Sequence, residues 1–194
     1  HTQDVYALEF LDDQKIVSGS GDQTLKLWDV SNSECIASVS NQPVPTASPS
    51  SNPREAGITS LALSNDRKFV VTGSLDRFVR VYRIEEEEKG FILCQTFDGH
   101  SDSVYSVSFD SKDSSIMSGS LDKTIRTWSF DPNNQQEDPS TKCLQVLTNH
   151  KDFVLSVAVA SNKGHTYIVS GSKDRTVQLW DEQSQSQLLS LQGH

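Results

Sequence analysis

Four copies of one short pattern run through the sequence, and this repetition constrains the fold more than any other feature. Each copy has Ser or Thr, then Gly, Ser, any residue and Asp, with an aromatic residue six positions after the Asp. The four aspartates, 46 to 54 residues apart, are Asp22, Asp76, Asp122 and Asp174. A catalytic centre is normally unique in a chain, whereas a pattern that returns at this interval predicts a repeated supersecondary unit.

Each repeat contains four short runs rich in β-branched and aromatic residues, separated by turn residues, which is typical of β-strands. In the third repeat these runs cover residues 104–109, 114–120, 124–130 and 143–148. Apolar or small residues occupy both faces of the runs, as sheets that are covered on both sides require. The sequence therefore predicts an all-β protein, a β-propeller with four blades of four antiparallel strands, named a to d in chain order.

The predicted repeats span residues 1–41, 54–99, 100–149 and 150–194, with loop insertions at 40–57, 85–90 and 131–142. The insertions are rich in Pro, Ser, Asn or Glu, as solvated loops are. Both ends of the chain fall on a histidine that closes a repeat, so we expect the chain to be part of a longer protein.

Composition and net charge argue against several classes of function. The net charge of −9 argues against a surface that grips nucleic-acid phosphates. No stretch approaches the roughly 18 consecutive apolar residues of a membrane span. Cys35, Cys94 and Cys143 form no Cys-x-x-Cys pair, and we expect reduced thiols in strands. We expect no cofactor, no metal, no direct DNA binding and no membrane insertion.

The pairs Trp28-Asp29 and Trp180-Asp181, the Gly-His steps at 99–100 and 193–194, and the four turn motifs make the chain similar to the WD40 repeat family. In that family the histidine before strand a, the Ser or Thr of strand b, the turn Asp and the Trp of strand c form a hydrogen-bonded tetrad. Such a network pairs polar groups that burial would otherwise leave unsatisfied. The resemblance implies three structural tetrads: His1, Ser18, Asp22 and Trp28; His100, Ser118, Asp122 and Trp128; and His150, Ser170, Asp174 and Trp180.

Each tetrad contains Ser, His and Asp, the residue types of a hydrolase triad. Catalysis would need one such set beside an oxyanion hole, whereas three equivalent sets indicate a structural role, so we expect no enzymatic activity. In the second repeat, which keeps Thr72 and Asp76, Tyr82 replaces the Trp and Arg54 stands at the position of the His. This departure predicts that the second blade is held by packing alone and is less rigid.

Three longer segments resemble one particular group of WD40 proteins. Residues 99–128, 150–160 and 167–175 are similar to the propeller of fungal Tup-type general transcriptional corepressors, which are relatives of animal Groucho. The resemblance implies four consecutive blades of a seven-bladed propeller, in a nuclear scaffold for protein–protein interaction. It also implies recruitment by DNA-bound repressor proteins and action with a tetratricopeptide-repeat corepressor subunit, histones and deacetylases.

Propeller geometry places the d–a and b–c loops on one end face, where a partner would bind. Three positions in each blade point out of this rim: the residues that flank the first apolar residue of strand a, and the residue before the turn Asp. The candidate protein-binding residues are Asp4, Tyr6, Leu75, Ser103, Tyr105, Leu121, Phe153, Leu155 and Lys173, with Gly21, Gly57 and Thr59 at the remaining positions. The Tyr, Phe and Leu side chains among them favour a peptide-binding surface; the alternative is that the rings fold over the central channel and pack on each other.

Another function in the same family is that of a ubiquitin-ligase substrate receptor that reads phosphorylated degradation signals. Such a receptor needs arginines that converge on the rim. Only Lys173 among the twelve positions is cationic, while Arg77, Lys123 and Arg175 follow the turn Asp and are expected at the blade edges. The residues therefore favour the corepressor-type scaffold.

Overall fold

The structure, a computed structural model, describes residues 1–41, 56–85, 90–132, 143–162 and 164–194. Sixteen strands in these ranges form four separate sheets of four strands, each sheet in chain order. This confirms the predicted all-β fold with blades of four antiparallel strands, which we number I to IV along the chain. Arg54 and most of the three predicted insertions lie outside the described residues.

Every blade is a meander in which each strand pairs with the next one along the chain. Blade I contains β1 (Val5–Phe10), β2 (Lys15–Ser20), β3 (Thr24–Asp29) and β4 (Glu34–Ser40), and blade II contains β5 (Ile58–Leu63), β6 (Phe69–Ser74), β7 (Val79–Glu85) and β8 (Gly90–Phe97). Blade III contains β9 (Val104–Phe109), β10 (Ser115–Ser120), β11 (Ile125–Ser129) and β12 (Cys143–Leu147), and blade IV contains β13 (Val154–Asn162), β14 (His165–Ser172), β15 (Thr176–Asp181) and β16 (Ser186–Gln192). In the third repeat the limits agree with the predicted runs to within one residue. Strands β1, β5, β9 and β13 contact one another across neighbouring blades, so the first strand of each blade lies innermost.

A tight turn with a left-handed residue joins the second and third strands of every blade. The residue after the turn Asp has φ between +68° and +75° in all four blades: Gln23, Arg77, Lys123 and Arg175. A residue with a Cβ adopts this conformation at a cost of about 1–2 kcal/mol. Hydrogen bonds offset that cost: in blade III the N–H groups of Lys123 and Asp122 donate to the carbonyl and hydroxyl oxygens of Ser120, at 3.2 and 3.0 Å.

Apolar side chains fill the seams between successive blades. Trp128 on β11 packs on Phe97 of blade II with ring centroids 5.3 Å apart, and both side chains are completely buried. Trp180 lies in the equivalent cluster with Met117 and Ile125 of blade III. The strand-c aromatic residue therefore belongs to the seam with the preceding blade, and the apolar area buried there stabilises the array.

The outward faces of blades I and IV are apolar and exposed. Val107 and Phe109 of blade III are buried against blade II, whereas their counterparts in blade I, Leu8 and Phe10, are 63% and 59% exposed. At the other end Leu191 is exposed, although the equivalent Phe97 is buried against blade III. Both end faces thus present side chains of the type that fills the internal seams.

Within the described ranges no helix has the length and apolar character needed to cross a membrane. Cys35, Cys94 and Cys143 are free thiols on the outermost strands of blades I to III. No group of three or more His, Cys, Asp and Glu side chains in the described part of the chain is arranged to hold a metal ion.

Candidate protein-interaction face and the blade tetrads

The tetrad of blade III is one continuous hydrogen-bonded chain. Nδ1 of His100 lies 2.8 Å from Oδ2 of Asp122, and Nε2 lies 2.7 Å from Oγ of Ser118. The indole N–H of Trp128 donates to the same Oγ at 2.8 Å. Because Ser118 Oγ accepts from Trp128, its own proton is directed to Nε2 of His100, which leaves the Nδ1 proton to be donated to Asp122.

The same three contacts recur in two further blades. The His–Asp, His–Ser and Trp–Ser distances are 3.0, 2.7 and 2.7 Å in blade I, and 2.9, 2.7 and 2.9 Å in blade IV. The residues are His1, Asp22, Ser18 and Trp28 in blade I, and His150, Asp174, Ser170 and Trp180 in blade IV. The structure therefore brings together all twelve residues that the WD40 resemblance assigned to tetrads, four in each of three blades.

A threonine that the tetrad motif does not include completes each network. In all three blades its hydroxyl group donates to the turn Asp at 2.6 Å, and the residues are Thr24, Thr124 and Thr176. A sequence signal for this contact exists, because Asp-x-Thr occurs in the three tetrad repeats while Phe78 stands at this position in the second repeat. The turn Asp is thus held from both sides, by the loop histidine and by strand c.

The His–Asp pair is a neutral imidazole bonded to a carboxylate. Burial alone would raise the pKa of Asp122, but hydrogen bonds from His100 and Thr124 outweigh it and hold that pKa well below its usual range. Burial lowers the pKa of His100, against the opposing effect of Asp122. Ser118 is completely buried and its oxygen already accepts from the indole. This geometry suits a structural clamp and offers no nucleophile to a substrate.

The prediction that blade II is held by packing alone is wrong, because hydrogen bonds also join it to blade I. Tyr82 donates its hydroxyl proton to Oδ1 of Asn41 at 2.8 Å, and Nδ2 of Asn41 donates to the carbonyl of Ala56 at 2.7 Å and to Oγ of Ser74 at 3.1 Å. Asn41 directly follows β4, so these bonds cross the seam between blades I and II. The repeat pattern missed Asn41 because the histidine position was counted back from strand a, which gives Arg54, whereas Asn41 directly follows β4 at the other end of the insertion. Burial raises the pKa of Tyr82 to about 12, so the hydroxyl keeps its proton at neutral pH.

The turn Asp of blade II has a different partner from its counterparts. The guanidinium of Arg80 contacts both carboxylate oxygens of Asp76, at 3.1 and 2.5 Å, and both side chains are almost completely buried. The same guanidinium lies 5.2 Å from the ring centroid of Phe78. A bidentate buried ion pair therefore replaces the His–Asp contact in this blade.

The predicted rim positions meet in pairs at one end of the blades. In each blade the residue before the turn Asp donates its N–H to the carbonyl oxygen of the residue before strand a, at 2.9 Å in all four cases. The pairs are Gly21 with Asp4, Leu75 with Gly57, Leu121 with Ser103, and Lys173 with Phe153. The d–a and b–c loops therefore lie side by side on one face, which we call the top face.

The second residue of every innermost strand lies in a β-bulge. In blade III, Val104 pairs with Ser120 and Ser106 pairs with Gly119, so Tyr105 has no partner in the ladder. The bulged residues of the other blades are Tyr6, Thr59 and Leu155. A bulge re-aims its side chain away from the regular alternation of a strand.

Three of the four bulged residues are large and exposed. The exposed fractions are 57% for Tyr6, 39% for Tyr105 and 45% for Leu155. Neither tyrosine ring stacks on another aromatic ring within the described residues. The rings therefore do not pack on each other, and the top face presents two tyrosines and a leucine to solvent.

The other candidate rim residues differ in exposure. Lys173 is exposed, and its ammonium group lies 4.8 Å from the ring centroid of the partly buried Phe153. Ser103 is buried, and its hydroxyl donates to the carbonyl of Leu75 at 2.9 Å, which links blades II and III. Because it is buried, Ser103 is not accessible to a binding partner. Leu75 and Leu121 are half-buried, and the exposed Asp4 accepts from the hydroxyl of Tyr6 at 3.4 Å.

Known proteins share these repeats. The family described as WD domain, G-beta repeat matches residues 1–29, 46–83, 91–129 and 141–181, which is most of the chain. The chain is similar to the general transcriptional corepressor TUP1 of Saccharomyces cerevisiae, with 41% identity over 100 residues that cover 50% of the chain and 14% of that protein. It is also similar to coatomer subunit beta'-1 of Arabidopsis thaliana, with 36% identity over 108 residues covering 55% of the chain and 11% of that protein.

A third relative, the nuclear distribution protein nudF of Aspergillus niger, is 24% identical over 200 residues that cover 93% of the chain and 40% of that protein. The chain thus spans well under two thirds of the length of each of these relatives, and their names describe different cellular processes. What they share with the chain is the repeat itself. The chain belongs to the WD domain, G-beta repeat (WD40) family.

Proposed function

We propose that this protein is the scaffold of a nuclear transcriptional corepressor and that DNA-bound repressor proteins recruit it through the top face. WD40 repeats imply a protein-interaction scaffold, and the family that the chain matches is not a catalytic one. The similarity to TUP1 supports the corepressor role. Under this proposal a tetratricopeptide-repeat subunit, histones and deacetylases act with the protein, and the scaffold itself has no enzymatic activity.

The observation that carries the proposal is the repeated bulge at the top face. A bulge interrupts the ladder at the same position in every blade, and in three blades the extra residue is Tyr6, Tyr105 or Leu155. These side chains are exposed, so they contribute little to packing within the blades. Exposed aromatic residues on a rigid scaffold are the typical anchors of a protein interface.

Binding of repressor proteins to the intact protein tests the proposal. Tyr6→Ala, Tyr105→Ala and Leu155→Ala are expected to weaken binding by about 1–3 kcal/mol, with the largest loss for Tyr105. The measurement is co-precipitation of DNA-bound repressors, followed by the affinity for each recovered repressor and the melting temperature of each variant.

Leu144→Ala is the matched control. Leu144 is also a bulged, exposed leucine (46%), but it lies on β12, the outermost strand of blade III. Repressor binding should survive this change. The proposal fails if the rim variants bind repressors like the wild type, or if they lose binding only together with their folded structure.

A further inference from the structure

A polar cleft of about 430 Å³ lies on the outer half of blade IV, away from the innermost strand that carries Leu155. Its walls are the outer strands β15 and β16, the turn that joins β14 to β15, the loop that enters the blade, and residues 193–194 after β16. The side chains that line it include Asn149, Lys151, Asp174, Arg175 and Gln178. Clefts that bind small ligands or short peptide segments have volumes of roughly 300–1,000 Å³.

One position in strand c explains why blade IV has this cleft. Two residues before the strand-c aromatic residue, the other three blades carry a long cation: Lys26, Arg80 and Arg126. In blade III the guanidinium of Arg126 lies over the ring of Trp128 and approaches Gly99 so closely that a Cβ there would be 3.0 Å from Nη1. Blade IV has the shorter Gln178 at this position, and Asn149 replaces Gly99. The space that a guanidinium fills in blade III is therefore open in blade IV.

The side-chain oxygen of Gln178 lacks a hydrogen-bond partner in this cleft. The residue is 5% exposed, and its side-chain oxygen is buried with no partner among the described residues. A buried polar group that lacks a partner costs about 1–3 kcal/mol. A ligand that brought an N–H donor into the cleft would remove this cost.

The charges around the cleft favour an anionic ligand. Lys151 and Arg175 are exposed at the cleft, and neither forms a salt bridge with another described residue. The carboxylate of Asp174 already accepts hydrogen bonds from His150, from the backbone N–H of Lys151 and from Thr176. Two cations that have no salt-bridge partner among the described residues make the cleft locally attractive to negative charge, although the chain as a whole carries a net charge of −9.

We infer that this cleft binds an acidic, extended segment of a partner protein. Carboxylates of the segment pair with Lys151 and Arg175, and a main-chain N–H of the segment donates to the oxygen of Gln178. The site uses the d–a and b–c loops of blade IV but none of the top-face anchors Tyr6, Tyr105 and Leu155, and it does not depend on the corepressor role.

Fluorescence anisotropy with three labelled peptides tests the inference on the intact protein. The probes are an acidic peptide, Gly-Asp-Glu-Asp-Glu-Gly, its amide counterpart, Gly-Asn-Gln-Asn-Gln-Gly, and a basic peptide of the same length. The acidic peptide should bind most tightly, and its affinity should fall as ionic strength rises. Lys151→Ala and Arg175→Ala should each weaken binding about fivefold.

The chain offers a matched control for each side of the cleft. Lys123→Ala removes the cation that corresponds to Arg175 in blade III, where Arg126 fills the cleft, and this change should leave binding unaltered. Gln178→Met keeps the volume and removes the acceptor, so it should weaken binding of the acidic peptide while the melting temperature holds or rises. Equal affinity for the acidic and amide peptides would overturn the inference, and so would equal losses for Lys123→Ala and Arg175→Ala.

Discussion

The hydroxyl group of Tyr82 donates to the side-chain oxygen of Asn41, 2.8 Å away, and joins the third strand of blade II to the loop that leaves blade I. Both residues are 1% exposed. Tyr82→Phe should lower the free energy of unfolding by about 1–3 kcal/mol, because it leaves a buried amide oxygen without a donor. Chemical denaturation of the two proteins measures the difference.

Tyr6→Phe is the control for this change, since among the described residues the hydroxyl of Tyr6 makes a single hydrogen bond, a 3.4 Å contact with Asp4 at the surface. Its stability should match the wild type. A spectrophotometric titration gives a second readout: the wild type should show one tyrosine that ionises near pH 12, and Tyr82→Phe should lose it. If Tyr82→Phe were as stable as Tyr6→Phe, the seam contact would have no energetic role.

The buried pair of Arg80 and Asp76 should behave differently from an ion pair at the surface. Arg80→Met should destabilise the protein by about 3–5 kcal/mol, because the carboxylate of Asp76 is left buried and uncompensated. The double variant Arg80→Met/Asp76→Leu should recover much of this loss. Arg83→Met, which breaks the half-exposed pair with Glu85, should cost less than about 1 kcal/mol. Additive losses in the double variant would contradict the pairing.

The tetrad of blade III should be a stability element. Asp122→Ala should lower the free energy of unfolding by about 2–4 kcal/mol, since His100, Thr124 and the turn backbone all lose their acceptor. Asp122→Asn keeps one acceptor oxygen and should cost less. Calorimetric melting of both variants provides the comparison. If Asp122→Ala melted at the temperature of the wild type, the tetrad would not stabilise blade III.

Acid should destabilise the fold in two steps. The folded-state pKa values of His100 and Asp122 both lie below their ordinary values, so the unfolded chain takes up more protons as the pH falls. Stability should be constant between about pH 6.5 and pH 8, decline below this range as His100 of the unfolded chain becomes protonated, and decline further below about pH 4 as Asp122 of the unfolded chain does. Asp122→Asn should flatten the lower step. The measurement is the free energy of unfolding against pH, and a rise in stability below about pH 6 would contradict the assignment.

Residues 1–194 expressed alone should associate through the exposed blade faces. Leu8, Phe10 and Leu191 are exposed where their counterparts in other blades are buried in seams, and contiguous apolar surface of this kind drives association. Light scattering should show dimers or larger species, and the double variant Phe10→Ser/Leu191→Ser should shift them toward the monomer. A wild-type monomer at high concentration would disprove the expectation.

The sequence predicted the blades because their strand pattern repeats along the chain, and the members of the three tetrads followed from the resemblance to WD40 repeats. It did not predict the contact of Asn41 with Tyr82, because that bond belongs to one seam and has no repeated counterpart. The bulge at Tyr105 could not be predicted from the sequence either, since it depends on the pairing register of the strands and not on residue type. The cleft beside Gln178 follows from the loss of one long side chain, which becomes visible only after Arg126 is seen in place.

The strand-c aromatic residue of blades II to IV faces the blade before it. This orientation has a consequence for the evolution of such chains by duplication of repeats. A duplicated copy of the third or fourth repeat carries its own histidine, serine, aspartate and tryptophan. The new blade therefore has every tetrad residue needed at its seam with the preceding blade. The second repeat differs, because Tyr82 depends on Asn41 from the repeat before it. Gene duplication can therefore multiply the third and fourth repeats singly, whereas a copy of the second repeat keeps its seam bond only if the residue that follows the first repeat is copied with it.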